Sequence, residues 1–160
     1  MQEVDVINFV KQSPIVPVDR VRRLAKALFY GYERDFVIAL HLLAPQIENI
    51  IRASLKRNGI RTSTLDSCGI ETENGLSTLM EIADVDNIWG EDLSFELKAL
   101  FCDSFGPNLR NELAHGLIDD LHCYSAASIY AWWLALRLVF NTYWNATHKK
   151  ADTTSESAQQ

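Results

Sequence analysis

Apolar residues recur every three or four positions along most of this chain, which is the spacing of one face of an α-helix. The pattern predicts a short opening helix over residues 5–11 and a longer one that begins at residue 19. The stretch SPIVPVDR separates the two helices, because its prolines break helical backbone. Gly31 is a candidate interruption of the second helix.

A third and longer helix is predicted over residues 33–57. Pro45 lies inside it and should kink it, because proline removes one backbone donor and crowds the preceding turn. Asn58 and Gly59 form a typical helix end. The residues expected to form its buried stripe are Ile47, Ile50, Ile51, Ser54 and Leu55.

Helical spacing is lost in the middle of the chain. Residues 60–75, IRTSTLDSCGIETENG, predict a loop with a β-turn or a small hairpin. A short helix over 76–83 follows, then a connector, DVDNIWGED, over 84–92, and a further helix over 93–102. This region is an irregular insertion between the N-terminal and the C-terminal helices of the chain.

The segment over residues 125–144 is as long as a bilayer span, but Arg137 lies within it. Since an arginine in mid-membrane is costly, we expect a long core helix and no membrane association. Its core stripe is predicted to be Ile129, Trp132, Leu136, Val139 and Tyr143. A second face, available to a partner or to RNA bases, carries Tyr130, Trp133, Arg137, Asn141 and Trp144.

The pattern divides the chain into one helical domain over residues 1–146 and a polar tail over 147–160. The tail lacks apolar spacing, which predicts disorder. Glycine and proline are scarce, at seven and four residues in 160, which favours helices over a turn-rich β architecture. The expected fold is therefore all-α, an up-and-down helical bundle with an irregular central insertion.

Charge and cysteine content narrow the possible functions. The net charge of −6 disfavours a protein that grips a long nucleic acid over its whole surface, but it leaves room for a small site that contacts a few phosphates. Three widely spaced cysteines without a Cys-x-x-Cys pair indicate neither a disulfide scaffold nor a zinc site. We expect a cytoplasmic protein with no metal and no cofactor.

One short stretch combines side chains with chemical potential. Residues 107–116 read PNLRNELAHG and predict a helix over 107–115 that ends at Gly116. Arg110 can bind a phosphate through two parallel hydrogen bonds. Asn111 can orient a neighbour, and His115 can transfer a proton from the last turn, where the helix dipole favours a protonated imidazole.

These residue types are the parts needed to cleave a phosphodiester without a metal, namely a proton shuttle and a cation for the developing negative charge. The ordinary alternative is that Arg110 and His115 simply bond to a protein carbonyl or carboxylate. Glu48 could pair with Arg110, or with Arg52 one helical turn away. Gln46 and Glu112 are further candidates to orient the motif side chains.

A small basic cluster, Arg52, Lys56 and Arg57, could steer RNA towards such a site, or could be a solvated helix end. The segment DDLHC, residues 119–123, brings an aspartate, a histidine and a cysteine together. It has no standard metal-ligand spacing, and we assign no metal to it.

The motif resembles the signature of a known group. RNELAHG, residues 110–116, is similar to the RNxxxHG motif of a domain family grouped with the HEPN superfamily, and HLLAPQIENIIRASLKRNG, residues 41–59, is similar to a preceding helix in that group. The resemblance covers residues 33–144 and implies a small helical bundle that acts as a metal-independent endoribonuclease.

In such enzymes the RNA 2′-hydroxyl attacks the neighbouring phosphate and leaves a cyclic phosphate. The resemblance assigns phosphate binding to Arg110, positioning to Asn111 and proton transfer to His115. It also implies a homodimer with a composite active site, which suits side chains about 140° apart on one helix.

Toxin and phage-defence systems are common contexts for the superfamily, so an antitoxin or a larger parent protein is a possible partner. The alternative is a non-catalytic module for dimerisation, partner binding or nucleotide binding.

Overall fold

The computed structural model describes residues 1–156, and the side chains of residues 1–148. Over this range the chain is mostly helical, as expected, with one two-stranded hairpin; the up-and-down bundle topology stays a prediction. A short 3-10 helix, Val18–Arg20, precedes the second α-helix. In chain order the other elements are α1 (Glu3–Gln12), α2 (Val21–Tyr32), α3 (Phe36–Arg57), β1 (Ser63–Leu65), β2 (Glu71–Glu73), α4 (Leu76–Met80), α5 (Asp84–Trp89), α6 (Glu91–Phe101), α7 (Leu109–Ala114), α8 (Asp120–Cys123) and α9 (Ala126–Glu156).

Helix α3 is the element around which the others pack. It contacts α2, α4, α5, α7, α8 and α9. Asp35 caps its first turn by accepting a hydrogen bond from the backbone N–H of Ile38, 3.1 Å away. The predicted stripe is confirmed, since all five of its members are buried: Ile47, Ile50, Ile51, Ser54 and Leu55.

Within residues 1–156, α3 is also the one helix whose length and composition would suit a membrane span. Half of its most apolar stretch is buried by the rest of the protein, as in the central helix of a packed core.

The irregular middle of the chain contains the small hairpin that the sequence predicts. Strands β1 and β2 pair antiparallel, with Ser63 opposite Glu73 and Leu65 opposite Glu71. The predicted connector over 84–92 is wrong, because Asp84 begins α5 there. Val85 is buried and Trp89 packs against the core, and this burial organises a segment whose apolar residues are too few to show helical spacing.

Gly31 does not interrupt α2; it lets α2 and α9 approach closely. The indole of Trp132 lies over Gly31, and its Nε1 donates a hydrogen bond to the carbonyl oxygen of Leu28, 3.1 Å away. A Cβ at position 31 would lie 2.1 Å from that nitrogen. Glycine is therefore required by packing rather than by a turn.

Helix α9 buries a face that is rotated from the predicted one. Trp132 and Leu136 pack against the core as expected, but Ile129 is exposed. The buried residues are Ala131, Leu134, Ala135 and Val139. Small alanines face the core because α9 packs closely at this point. The sequence prediction selected large apolar side chains and therefore missed them.

The second predicted face of α9 is exposed at its aromatic residues. Tyr130 and Trp133 stack with their ring centroids 5.6 Å apart. The guanidinium of Arg137 lies 4.8 Å from the centre of the Trp133 ring and donates to Glu96 of α6, 3.2 Å away. The arginine is therefore accommodated by an aromatic ring and a carboxylate.

The structure continues α9 through residues 147–156, where the sequence predicts the start of a disordered tail. Thr147 Oγ1 donates to the Tyr143 carbonyl, 3.0 Å away, and the His148 ring stacks on Trp144. These contacts one turn apart support helical backbone in a polar sequence. The tail over residues 157–160 lies outside the described residues and stays a prediction.

Gly31→Ala tests the close contact of α2 and α9. Alanine normally stabilises a helix interior by up to about 1 kcal/mol relative to glycine. Here the added methyl group meets Trp132, so we expect the free energy of unfolding to fall by about 2 kcal/mol. Chemical denaturation measures this change.

A double-mutant cycle with Trp132→Ala provides the control. In that background the space beside residue 31 is open, and Gly31→Ala should be neutral or stabilising. Equal destabilisation in both backgrounds would contradict the packing explanation.

Candidate functional site

The motif lies on α7, which is shorter than the helix the sequence predicts. Asn108 adopts a left-handed conformation, with φ 46°, so Pro107 cannot be the first residue of a continuous helix. The buried Leu109 anchors the first turn in the core. The end is as predicted, because Gly116 has φ 66°, a conformation that favours glycine.

Arg110 is held by protein groups on two sides. Its Nε donates to Glu48 Oε2 of α3, 3.1 Å away, and its Nη1 donates to Asn111 Oδ1, also 3.1 Å away. About 31% of the Arg110 side chain stays exposed. The guanidinium is thus fixed in orientation and still accessible from solvent.

Glu48 binds both of its candidate arginines at once. Arg52 Nη2 donates to Glu48 Oε1, 2.6 Å away, and to the carbonyl of Asn74, 2.6 Å away. Glu48 Oε2 also accepts the backbone N–H of Leu76 at 3.3 Å. One carboxylate therefore ties α3 to α7 and to the chain that leads from the hairpin into α4.

The charge of Glu48 is maintained against its burial. Its side chain is only 17% exposed, and burial by itself raises the pKa of the carboxyl. The hydrogen bonds and positive charges of Arg52 and Arg110 outweigh burial, so the pKa of Glu48 lies below its usual value. The carboxylate therefore stays ionised at neutral pH and keeps both arginines in place.

A cleft of about 340 Å³ opens beside this ion pair, between α3 and α7. Three arginines and a single carboxylate line it, in a chain whose net charge is −6. Two further carboxylates, Asp19 and Glu73, pair with Arg20 and Arg52 at 3.2 and 3.3 Å. The cleft is therefore an arginine-rich region with an apolar wall, and its size suits a small ligand or one unit of a polymer. Its lining residues are Arg20, His41, Ala44, Pro45, Glu48, Asn49, Arg52, Arg110, Leu113 and Ala114.

His115 lies outside the lining of this cleft. Its backbone N–H donates to the Asn111 carbonyl, 3.0 Å away, and the residue is exposed. Within the described residues its imidazole makes no hydrogen bond. One copy of the chain thus presents Arg110 and His115 on different sides of α7.

Asn111 supports Arg110 rather than His115. Its Oδ1 accepts from the Arg110 guanidinium, and its Nδ2 donates to Asn108 Oδ1, 3.0 Å away. The side chain therefore links the start of α7 to the guanidinium.

The remaining candidates are spread over the molecule. Gln46 is buried within α3 and does not line the cleft. Glu112 lines a second cleft, of about 380 Å³, beside α7. Among the basic candidates only Arg52 reaches the site, because Lys56 pairs with Glu73 and Arg57 donates to the Pro14 carbonyl, 2.7 Å away.

Two polar lining residues were missed by sequence reasoning. His41 is four residues before Pro45 and seven before Glu48, so helical spacing could have placed it on the same face. Arg20 comes from the 3-10 helix before α2, and no local pattern connects it to the motif. Across residues 1–156 no group of three or more potential metal ligands is found.

Glu48→Gln tests whether the shared carboxylate joins α3 to α7. We expect the free energy of unfolding at pH 7 to fall by about 2 kcal/mol, because Arg110 loses its charged acceptor and Arg52 keeps only Glu73 as its charged partner. Since the folded pKa is lowered, the contribution of Glu48 is complete above its unfolded pKa, about 4.3. It is lost as the pH falls through the lower folded value. Urea denaturation from pH 7 to pH 3 should therefore show a smaller acid-induced loss of stability in the variant.

Glu81→Gln is the matched control. Glu81 forms an exposed pair with Lys98, at 2.6 Å, and exposed pairs contribute little. A Glu48→Gln protein with the stability and pH profile of Glu81→Gln would rule out a structural role for the shared carboxylate.

No protein-family model matches this chain, and no match was found among curated proteins or among solved structures. The resemblance to the HEPN superfamily therefore stays a prediction from the sequence motif.

Proposed function

We propose that this protein is a metal-independent endoribonuclease of the HEPN type. The observation that carries the proposal is the placement of the motif residues. Arg110 lines an arginine-rich cleft with its guanidinium oriented by Glu48, and His115 is exposed, with no hydrogen bond to its imidazole among the described residues. An anchored cation and an available proton-transfer group are what cleavage through the 2′-hydroxyl requires.

Each residue has a defined task in the proposed reaction. Arg110 binds the scissile phosphate and stabilises the negative charge that grows as the 2′-oxygen attacks. Asn111 fixes the guanidinium. His115 transfers a proton to or from the reacting oxygens, and the products are a 2′,3′-cyclic phosphate and a free 5′-hydroxyl. The cytoplasm is the proposed location, and no cofactor takes part.

The active enzyme is proposed to be a homodimer of up-and-down bundles. Because one copy places Arg110 and His115 on different sides of α7, a second copy would have to supply the histidine that faces a given arginine. A two-fold axis near α7 would form two such sites. A toxin or phage-defence role, with an antitoxin or a larger parent protein as partner, fits a nuclease of this kind.

Cleavage of RNA in EDTA tests the activity. We expect the wild-type protein to cut single-stranded RNA without a metal and to leave cyclic-phosphate ends. His115→Ala should lose at least about 100-fold in rate, because removal of a proton-transfer group costs that much. The products are resolved on a gel and their ends identified by mass spectrometry.

His122→Ala is the control, since His122 is exposed and bonded to Asp119 beside the other cleft. Equal rates in wild type and His115→Ala would assign the cleavage to another site or to a contaminant.

Mixing two inactive variants tests the composite site. Arg110→Gln and His115→Ala are each expected to be inactive as homodimers. In an equal mixture, half of the dimers are mixed and each contains one intact site, so about a quarter of wild-type activity should return. The rate is measured after subunit exchange, with the dimer verified by light scattering. No recovery despite proven exchange would place Arg110 and His115 of one chain in the same site.

One observation favours a second candidate, a non-catalytic interaction module. Arg110 is already bonded to Glu48 and Asn111, as a purely structural arginine would be. Absence of cleavage, together with a stable dimer that Arg110→Gln disrupts, would favour this module.

A further inference from the structure

We propose that the cleft between α3 and α7 binds a ribose-phosphate unit of RNA, and that His41 contacts the ribose hydroxyl. This inference deepens the proposed function, with which it shares Arg110, and it names a residue that the motif does not contain. Three features of the cleft carry it: the hydrogen bond of the His41 ring, a backbone carbonyl beside it without its usual helical donor, and the presence of both arginine donors and uncharged acceptors in the lining.

The hydrogen bond of His41 fixes what its ring can offer. Nδ1 lies 2.7 Å from the Val37 carbonyl oxygen, one turn earlier in α3. Because a carbonyl only accepts, Nδ1 carries the hydrogen, and Nε2 of the neutral ring is left as an acceptor. His41 lines the cleft, so it presents a group there that can accept a hydroxyl proton.

Pro45 adds a second acceptor at the same place. In a regular helix the His41 carbonyl would accept the N–H of residue 45, but proline has no N–H. His41 and Pro45 both line the cleft. The proline in α3 therefore leaves the backbone carbonyl of His41 without its usual helical donor.

The cleft lining offers both hydrogen-bond donors and acceptors. The donors are the guanidiniums of Arg20, Arg52 and Arg110; Arg20 Nε lies 3.2 Å from Asp19 Oδ2, and Arg52 Nε lies 3.3 Å from Glu73 Oε2. Besides the carboxylate of Glu48, the acceptors are His41 and Asn49, and the Asn49 Oδ1 is buried without a hydrogen bond among the described residues.

A ribose-phosphate matches this arrangement in both respects. Its phosphate accepts from arginine, and its 2′-hydroxyl is a donor that deoxyribose lacks. The apolar wall, formed by Ala44, Pro45, Leu113 and Ala114, can cover the carbon face of the sugar. The cleft therefore favours RNA over DNA of the same sequence.

The experiment measures binding without cleavage, in a His115→Ala background. A short single-stranded RNA and the DNA of the same sequence are titrated by fluorescence anisotropy at constant salt. We expect the RNA to bind about fivefold more tightly than the DNA, which is the effect of one hydrogen bond. Adding His41→Ala should abolish this preference and leave DNA affinity unchanged. Adding Arg110→Gln should weaken both.

His122→Ala in the same background is the matched histidine control and should preserve the RNA preference. A variant that merely loosened the fold would lower the affinities for RNA and for DNA alike. Selective loss of the RNA preference therefore indicates a direct contact between His41 and the ribose hydroxyl.

Equal affinities for RNA and DNA in the His115→Ala protein would overturn the proposal, as would a preference that survives His41→Ala. If Arg110→Gln removes the preference for RNA over DNA and His41→Ala does not, the proposed role of His41 is also overturned. If the proposed nuclease activity is wrong, the wild-type protein will not cleave RNA. That result is independent of the binding test, which can still confirm or overturn the role of His41.

Discussion

The carboxylate of Glu48 is the constraint on which the site depends. It is mostly buried, it belongs to the central helix, and it is shared by two guanidiniums from different parts of the chain. A lone buried carboxylate would be costly, and two nearby arginines would repel one another without it. Glu73 also pairs with Arg52, 3.3 Å away, so the four charges form one connected set. The set fixes the direction of Arg110 and joins the hairpin region to α7.

This arrangement also shows how an acidic protein can hold a cleft lined by arginines. The net charge of −6 weakens long-range attraction of nucleic acid. Any attraction must then act at short range, through the three arginines that line the cleft. Binding of this kind suits a single-stranded segment that enters a small cleft better than a duplex that lies along a surface.

Sequence pattern was sufficient for the long elements and failed where burial comes from distant contacts. The buried stripe of α3 followed from helical spacing, because a long helix shows several repeats of the pattern. Helix α5 was missed, since its burial depends on Val85 and Trp89 meeting a core formed elsewhere. Gly31 was misread as a break, because only the position of Trp132 shows why the side chain must be absent.

The same distinction holds for the candidate site. The sequence singles out Arg110, Asn111 and His115 because they lie within six positions of one another. It also names both arginine partners of Glu48, from their charge and their spacing. Arg20 could not be found, since its place in the cleft results from the packing of α2 against α3.

Because α7 is short, local unfolding of this helix could inactivate the site. A helix of six residues makes few internal hydrogen bonds, so it is not stable by itself. It is held by Leu109 in the core and by the bond of Arg110 to Glu48. Segments of this kind open at a free energy well below that of global unfolding. The chain therefore has a nearby state in which the main helices persist and the motif is dispersed. Substitutions distant from Arg110 and His115 could populate that state without a visible change in melting temperature.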